Sequence, residues 1–136
     1  MSRVRFPSPR PFSFMRASDS KFARLAHDQA LKSDMRQKVG VVITSGKSVI
    51  SRGFNRWVGF PIGKDPDLKY RWSMHAEIKA IQSILNEKDD KSLTLYAVRT
   101  GYRNAKPCKG CMKVLANSSI GRVVFSDSGE LREDFL

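Results

Sequence analysis

The sequence is short of cysteine, of long apolar runs and of acidic residues. Its two cysteines are too few for the disulfide framework of a small secreted domain, which makes a reducing cytoplasm the natural compartment. It has no apolar run near the roughly 18 residues that a membrane-spanning helix needs. The opening stretch lacks the apolar segment of a secretory signal peptide. We therefore expect a soluble, cytoplasmic protein with no membrane partner.

Basic residues outnumber acidic ones by 25 to 13, which gives a formal net charge of +12. Half of this excess lies before Val39, in a stretch that contains nine Lys and Arg but only three Asp. A field of this sign attracts phosphorylated small molecules and nucleic acid alike, and a basic surface also simply favours solubility. Charge alone therefore leaves all three interpretations open.

The chain is predicted to have a basic arm followed by one domain. Residues 1–18 contain four Arg, three Pro and no acidic residue, and the prolines oppose the amphipathic helix of a transit peptide. We interpret this stretch as a flexible arm and a candidate contact for nucleic acid. The chain is 40% hydrophobic, and residues 19–136 are long enough to bury one core.

Apolar periodicity and turn residues predict alternating helices and strands. A helix follows the cap residues Ser18-Asp19-Ser20, and the Gly- and Pro-rich stretch Asn55–Arg71 is expected to be a loop. The other expected elements are a hairpin of strands 38–44 and 48–54, a helix 75–86, a buried strand 92–98, a helix from about 108 to 117–119, a strand 120–126 and a short last edge strand. This order predicts an α/β fold, a three-layer α/β/α sandwich.

Three candidate metal ligands occur in two short motifs. His75 lies in His-Ala-Glu, and Cys108 and Cys111 lie in Pro-Cys-Lys-Gly-Cys. Catalytic zinc typically takes three protein ligands and keeps a fourth position for water. Two cysteines three residues apart at a helix start have their sulfurs on one face, where the helix dipole favours thiolates. His75 can join them if the N-termini of the two helices lie side by side on the sheet.

Glu77 lies two residues after His75, close enough to exchange protons with a zinc-activated water without binding the metal. The pattern His-x-Glu…Pro-Cys-x-x-Cys is the signature of zinc-dependent nucleobase deaminases, in which this glutamate is the general acid and base. We take the mechanism, attack on C4 of cytosine or C6 of adenine, from that match.

Each motif alone has an ordinary alternative. A Cys-x-x-Cys in a cytosolic protein can be a redox pair, and a histidine before a helix often only caps or packs. The two motifs together, with the glutamate and Pro107 at the expected offsets, favour the zinc site.

Beyond these motifs, the stretch from Val39 to about Ser126 resembles the cytidine/deoxycytidylate deaminase superfamily, and the deoxycytidylate (dCMP) branch most closely. The similarity also covers Gly53-Phe54-Asn55, 69–77 (KYRWSMHAE), Leu95-Tyr96 and 120–125 (IGRVVF). It implies the cytidine deaminase-like fold, a five-stranded mixed sheet covered by helices. It also implies zinc, hydrolytic deamination and a homo-oligomer.

The resemblance further implies two substrate contacts. Asn55 occupies the position of an asparagine that contacts the sugar hydroxyl or the base, although an asparagine there can also simply close the turn after a strand. The backbone N–H of Ala76 occupies the position of a base-contacting amide.

The sequence departs from the family pattern at three places around the pocket. Lys79 replaces an asparagine, Gly101–Lys106 lengthens the link to the cysteines, and the end at Leu136 leaves room for only a very short fifth strand.

Two substrate classes remain open. For a free nucleotide such as dCMP, the candidate partners of the 5′-phosphate are cations on loops near the site: Arg56, Lys64, Lys69, Arg71 and Arg103. For a base in single-stranded DNA or RNA, the arm would follow the backbone while aromatic residues stack on neighbouring bases: Trp57, Phe60, Trp72 or Tyr102. The local resemblance favours conversion of dCMP to dUMP with release of ammonia.

A third interpretation is a catalytically silent zinc module whose arm binds nucleic acid. Glu77 argues against it, because structural zinc needs no carboxylate there and normally has a fourth protein ligand. The other histidine, His27, is predicted to lie on the surface of the first helix.

Overall fold

A computed structural model describes residues 16–58, 72–84 and 91–136 of the chain. In chain order its elements are α1 (Asp19–Ala30), β1 (Val39–Ser45), β2 (Ser48–Phe54), β3 (Arg56–Val58), β4 (Trp72–Met74), α2 (Ala76–Ile81), a 3-10 turn (Gln82–Ile84), β5 (Leu93–Arg99), a second 3-10 turn (Thr100–Tyr102), α3 (Lys109–Ala116), β6 (Ile120–Asp127) and β7 (Glu130–Phe135).

Five of the strands form one mixed sheet in the order β2-β1-β5-β6-β7. The pair β5–β6 is parallel, and the other three neighbouring pairs are antiparallel. Parallel neighbours need a crossover connection, and α3 lies in the one that joins β5 to β6. The predicted mixed sheet is confirmed.

Side-chain alternation along the strands divides the core into two layers. On one face, Val41 and Leu95 pack with residues of α2 and α3 such as Ala80 and Leu115. On the other face, residues of the same two strands pack against α1, in a cluster that includes Phe22, Ala26, Val42 and Tyr96. Helices therefore cover both faces of the sheet, which confirms the three-layer α/β/α sandwich.

The contact between α1 and β1 is close enough to require a glycine. A Cβ added at Gly40 would lie 2.0 Å from the carbonyl oxygen of Ala26 and 2.3 Å from the nitrogen of Ala30. Because both neighbours are helix backbone, any side chain at this position would push α1 off the sheet.

Three expectations need correction. The predicted helix 75–86 is α-helical only to Ile81, after which it tightens into the 3-10 turn, and 85–86 lie outside the described residues. The predicted loop Asn55–Arg71 begins with β3, which pairs with β4 in a separate two-stranded ribbon. The last strand is not very short, since all six residues of β7 pair with β6. Its charged side chains are typical of edge strands, and because they interrupt the apolar alternation, the sequence did not reveal the full length of the strand.

Within the described ranges, no helix is long and apolar enough to cross a membrane. The division into an arm of residues 1–18 and a domain of residues 19–136 stays a prediction, because 1–15 lie outside the described residues.

Candidate active site

The three predicted metal ligands meet where the starts of α2 and α3 lie side by side. His75 is the residue before α2, Cys108 is the residue before α3, and Cys111 lies within the first turn of α3. The His75 Nδ1 atom is 3.3 Å from Cys111 Sγ and 3.9 Å from Cys108 Sγ. All three potential ligand atoms lie within 4.8 Å of one another.

This donor set fits zinc. A tetrahedral zinc ion with its usual bond lengths to sulfur and nitrogen holds the two ligand atoms about 3.6 Å apart, and the two observed N···S distances lie on either side of that value. Within the ranges that the structure describes, no fourth His, Cys, Asp or Glu joins the cluster. Three protein ligands with an available fourth vertex are typical of catalytic zinc sites.

The two thiols differ in their surroundings. Cys108 is exposed and accepts a hydrogen bond from the Cys111 backbone N–H at 3.5 Å, whereas Cys111 is buried. Burial, followed by the negative charge of Glu77, raises the pKa of the Cys111 thiol well above its ordinary value. A bound cation favours the thiolate form, so occupation of the site and deprotonation of Cys111 are coupled.

Glu77 lies in the first turn of α2, and only 5% of its surface is exposed. Burial raises the pKa of its carboxyl above the ordinary value of 4.5, although contact with the Cys111 side chain and the charge of His75 partly oppose the shift. The structure thus places a carboxyl group with increased proton affinity next to the three-ligand cluster.

A cavity of about 420 Å³ connects these groups. This volume lies in the range of small-molecule sites. His75, Glu77 and Cys108 line it, together with Met35, Arg36, Gln37, Val39, Asn55, Ala76, Arg99, Asn104, Ala105, Lys106 and Pro107. Two of the predicted metal ligands, His75 and Cys108, and the predicted proton carrier Glu77 therefore face one pocket, whereas Cys111 is buried behind it and is not among its lining residues.

Only some of the predicted substrate contacts reach this pocket. Asn55 and Ala76 line it, whereas Arg56 and Arg103 are exposed and are not among its lining residues. Arg71 lies outside the described residues, as do Phe60, Lys64 and Lys69.

Asn55 also has the structural role that the sequence left open as an alternative to substrate binding, because its side chain closes the turn after β2. Its Oδ1 atom accepts a hydrogen bond from the Val39 N–H at 2.9 Å, and its Nδ2 donates to the Gln37 carbonyl at 2.6 Å. The side chain therefore ties the end of β2 to the segment before β1 while it lines the pocket.

The cations that do line the pocket were not among the predicted substrate contacts; they are Arg36, Arg99 and Lys106. Arg99 is the last residue of β5 and pairs with Val39 at the start of β1. No local motif marks these residues, because they come together only through the pairing of strands that are far apart in sequence.

Tyr102 and His27 stack on each other, with ring centroids 5.7 Å apart. Both are half-buried, so His27 is less exposed than predicted. The contact joins α1 to the link between β5 and Cys108.

The sequence model for the cytidine and deoxycytidylate deaminase zinc-binding region matches residues 16–127. The chain therefore belongs to the cytidine and deoxycytidylate deaminase family, whose members are zinc-dependent hydrolytic deaminases. The match includes both metal-binding motifs, and it confirms the resemblance and the expected zinc cofactor. A search of curated proteins found no match.

Several solved structures share the fold. Cytidine deaminase from Burkholderia pseudomallei is 16% identical, with a TM-score of 0.65 over 89% of this chain and 93% of that one. A dCMP deaminase from the cyanophage S-TIM5, in complex with dCMP and dUMP, is 21% identical, with a TM-score of 0.59 over 81% of this chain and 82% of that one. At these identities the similarity shows a shared fold and does not establish the substrate.

Proposed function

We propose that the protein converts dCMP to dUMP by hydrolytic deamination. The observation that carries the proposal is the buried Glu77 carboxyl in the pocket that also contains His75 and Cys108. A structural zinc site needs no such group, whereas a deaminase needs a proton carrier beside its activated water.

The proposed chemistry assigns proton transfer to Glu77. When bound by His75, Cys108 and Cys111, zinc supplies Lewis-acid activation of water. Glu77 accepts a proton from the water that attacks C4 of the cytosine ring and delivers it to N3. A second transfer protonates the departing amino group. The C4–N bond breaks, a C4 carbonyl forms and ammonia leaves, so that one water is consumed for each ammonia released.

The pocket walls position the ring for this attack. We assign the backbone N–H of Ala76 and the side chain of Asn55 to the base and sugar, because both residues line the cavity beside Glu77. An asparagine already held by two backbone groups is restricted to a narrow range of positions, which lowers the entropic cost of binding.

Three observations favour a mononucleotide as the substrate. The lining includes three cations and only one carboxylate, Glu77, among the described residues. The segment before His75 resembles the dCMP branch of the family. The similar cyanophage protein is a dCMP deaminase whose structure contains dCMP and dUMP. From the resemblance and the cysteine usage we also infer a cytoplasmic homo-oligomer.

The test is a substrate panel for the purified, zinc-loaded protein. Cytidine, deoxycytidine, CMP, dCMP, dCTP and single-stranded oligonucleotides containing cytosine and adenine are incubated with the protein, and the products are separated by chromatography. We expect dCMP to be deaminated with the highest kcat/KM and Glu77→Ala to abolish the reaction. Deamination of the oligonucleotides alone would move the protein to the nucleic-acid editors, and no deamination by zinc-loaded protein would refute the proposal.

A further inference from the structure

The charges around the pocket are unevenly distributed. Arg36, Arg99 and Lys106 line it, and Glu77 is the only acidic residue in its described lining. Because Glu77 belongs to the catalytic end, beside His75, the three cations are available for an anionic part of a ligand. None of them is a metal ligand or lies within a metal-binding motif.

The cations come from two segments that the sheet holds together. Arg36 precedes β1, whereas Arg99 and Lys106 begin and end the link from β5 to Pro107. The Thr100 N–H donates to the Lys38 carbonyl at 3.1 Å, which joins the two segments directly. The link includes Gly101–Lys106, where the sequence departs from the compact family pattern.

The link is fixed by a buried serine on β6. Ser126 is fully buried, and its Oγ accepts from the Arg99 N–H at 3.1 Å and donates to the Arg103 carbonyl at 2.6 Å. Its backbone carbonyl accepts from the Ala105 N–H at 2.9 Å. The backbone that carries Arg99 and Lys106 is thus preorganised, which lowers the cost of ordering it around a ligand.

The charges of these cations are weakly compensated within the protein. Lys106 Nζ lies 3.4 Å from Asp134 Oδ2, but both side chains are well exposed, and exposed pairs contribute little. In the part of the chain that the structure describes, Arg36 and Arg99 have no ion-pair partner. An anion in the pocket would supply the missing charge.

We propose that Arg36, Arg99 and Lys106 form the binding site for the 5′-phosphate of the nucleotide. The proposal rests on the proposed function, since it places the base at the zinc end of the same cavity. One guanidinium group can donate two parallel hydrogen bonds to the oxygens of a phosphate. Three cations also match the charge of a phosphate monoester better than the smaller charge of a phosphodiester.

The first experiment compares dCMP with deoxycytidine, which differs only by the phosphate. Arg36→Gln, Arg99→Gln and Lys106→Gln are each measured in the zinc-loaded chain. We expect each to lower kcat/KM for dCMP about tenfold, the typical loss for a hydrogen bond to a charged group, and to leave deoxycytidine within about twofold. Lys47→Gln is the matched control, because Lys47 is an exposed cation in the β1–β2 turn that does not line the pocket.

The second experiment measures binding without turnover, so that it holds whether or not the protein deaminates dCMP. Calorimetry in a Glu77→Gln background is expected to show that dCMP binds about tenfold or more tightly than deoxycytidine, and that the triple Gln variant loses this preference. Equal losses for both ligands, or a preference that persists in the triple variant, would overturn the phosphate site. Losses confined to an oligonucleotide would overturn it in favour of a nucleic-acid channel.

Discussion

The two faces of the sheet each contain a buried carboxylate, and the two carboxylates behave in opposite ways. Glu77, on the α2 and α3 face, has a raised pKa because burial outweighs its contacts with Cys111 and His75. Burial also acts on Asp19, at the start of α1, yet the pKa of that carboxyl is lowered. Burial by itself therefore does not decide the charge of a carboxyl group; the number of donors around it does.

Asp19 is surrounded by donors. The Arg122 guanidinium donates to both of its oxygens, at 3.0 and 2.6 Å, and the Tyr96 hydroxyl donates at 2.6 Å. The backbone N–H of Arg16 adds a further hydrogen bond at 2.6 Å, and Arg122 also donates to Glu133 on β7 at 2.9 Å. This network joins α1 to three strands of the sheet and keeps Asp19 ionised.

The comparison separates a structural carboxylate from a proton carrier. A carboxylate satisfied by charged and neutral donors has no reason to take up a proton near neutrality, whereas a buried one with few donors binds a proton more readily. Three predictions test this division, and a fourth concerns the link between the two regions.

The largest effect is expected from Glu77→Gln. Loss of the proton carrier should lower kcat for deamination by a factor of about 10² to 10⁴, the usual range for general acid–base catalysis. Thermal unfolding of the zinc-loaded variant should change little, because the amide has the same shape as the carboxyl group. A variant that keeps more than about a tenth of the activity would contradict the assignment.

The structural counterpart is Asp19→Asn. It leaves the Arg122 charge buried and only partly compensated by Glu133, so we expect the free energy of unfolding to fall by about 3–5 kcal/mol, with kcat per folded molecule retained. The control is Asp127→Asn, which removes a carboxylate from a partly exposed pair with Arg132 and should cost at most about 1 kcal/mol. Equal costs in urea unfolding would refute the role given to Asp19.

The same network predicts how stability depends on pH. Because folding lowers the pKa of Asp19 below its ordinary value of 3.8, the folded state binds fewer protons there than the unfolded state. The stabilisation is therefore complete above pH 3.8 and is lost as the pH falls through the lowered pKa. Urea unfolding between pH 6 and pH 3 should show a steeper loss for the native chain than for Asp19→Asn, and parallel curves would contradict the prediction.

Features that depend on residues close together in the sequence could be predicted from it, whereas features that depend on residues far apart in the sequence could not. The metal ligands and Glu77 lie in two motifs, each no more than five residues long, so their spacing alone indicates the chemistry. Asp19 and Arg122 are 103 residues apart, and no local pattern could show that they pair. The pocket cations were missed for the same reason, because only the pairing of β1 with β5 brings Arg36 and Arg99 to one cavity.

The smallest effect is expected at Ser126, which lies between the Asp19–Arg122 network and the pocket. Ser126 lies on β6 four residues beyond Arg122, and its hydroxyl satisfies the Arg99 N–H and the Arg103 carbonyl. Ser126→Ala removes the side-chain partner of both groups, which are partly buried, and this should cost about 1–3 kcal/mol of stability. Ser128→Ala, at an exposed position in the turn before β7, is the control.

A purely structural role for Ser126 would stop at this loss of stability, whereas a positioning role extends to the substrate. Because the serine fixes the link that carries Arg99 and Lys106, its loss should raise KM for dCMP while leaving kcat and the kinetics with deoxycytidine unchanged. Measurements well below the unfolding temperature separate the two effects, since the fraction of folded protein then stays constant. An equal change for both substrates would mean that Ser126 supports the fold but does not position the phosphate-binding wall.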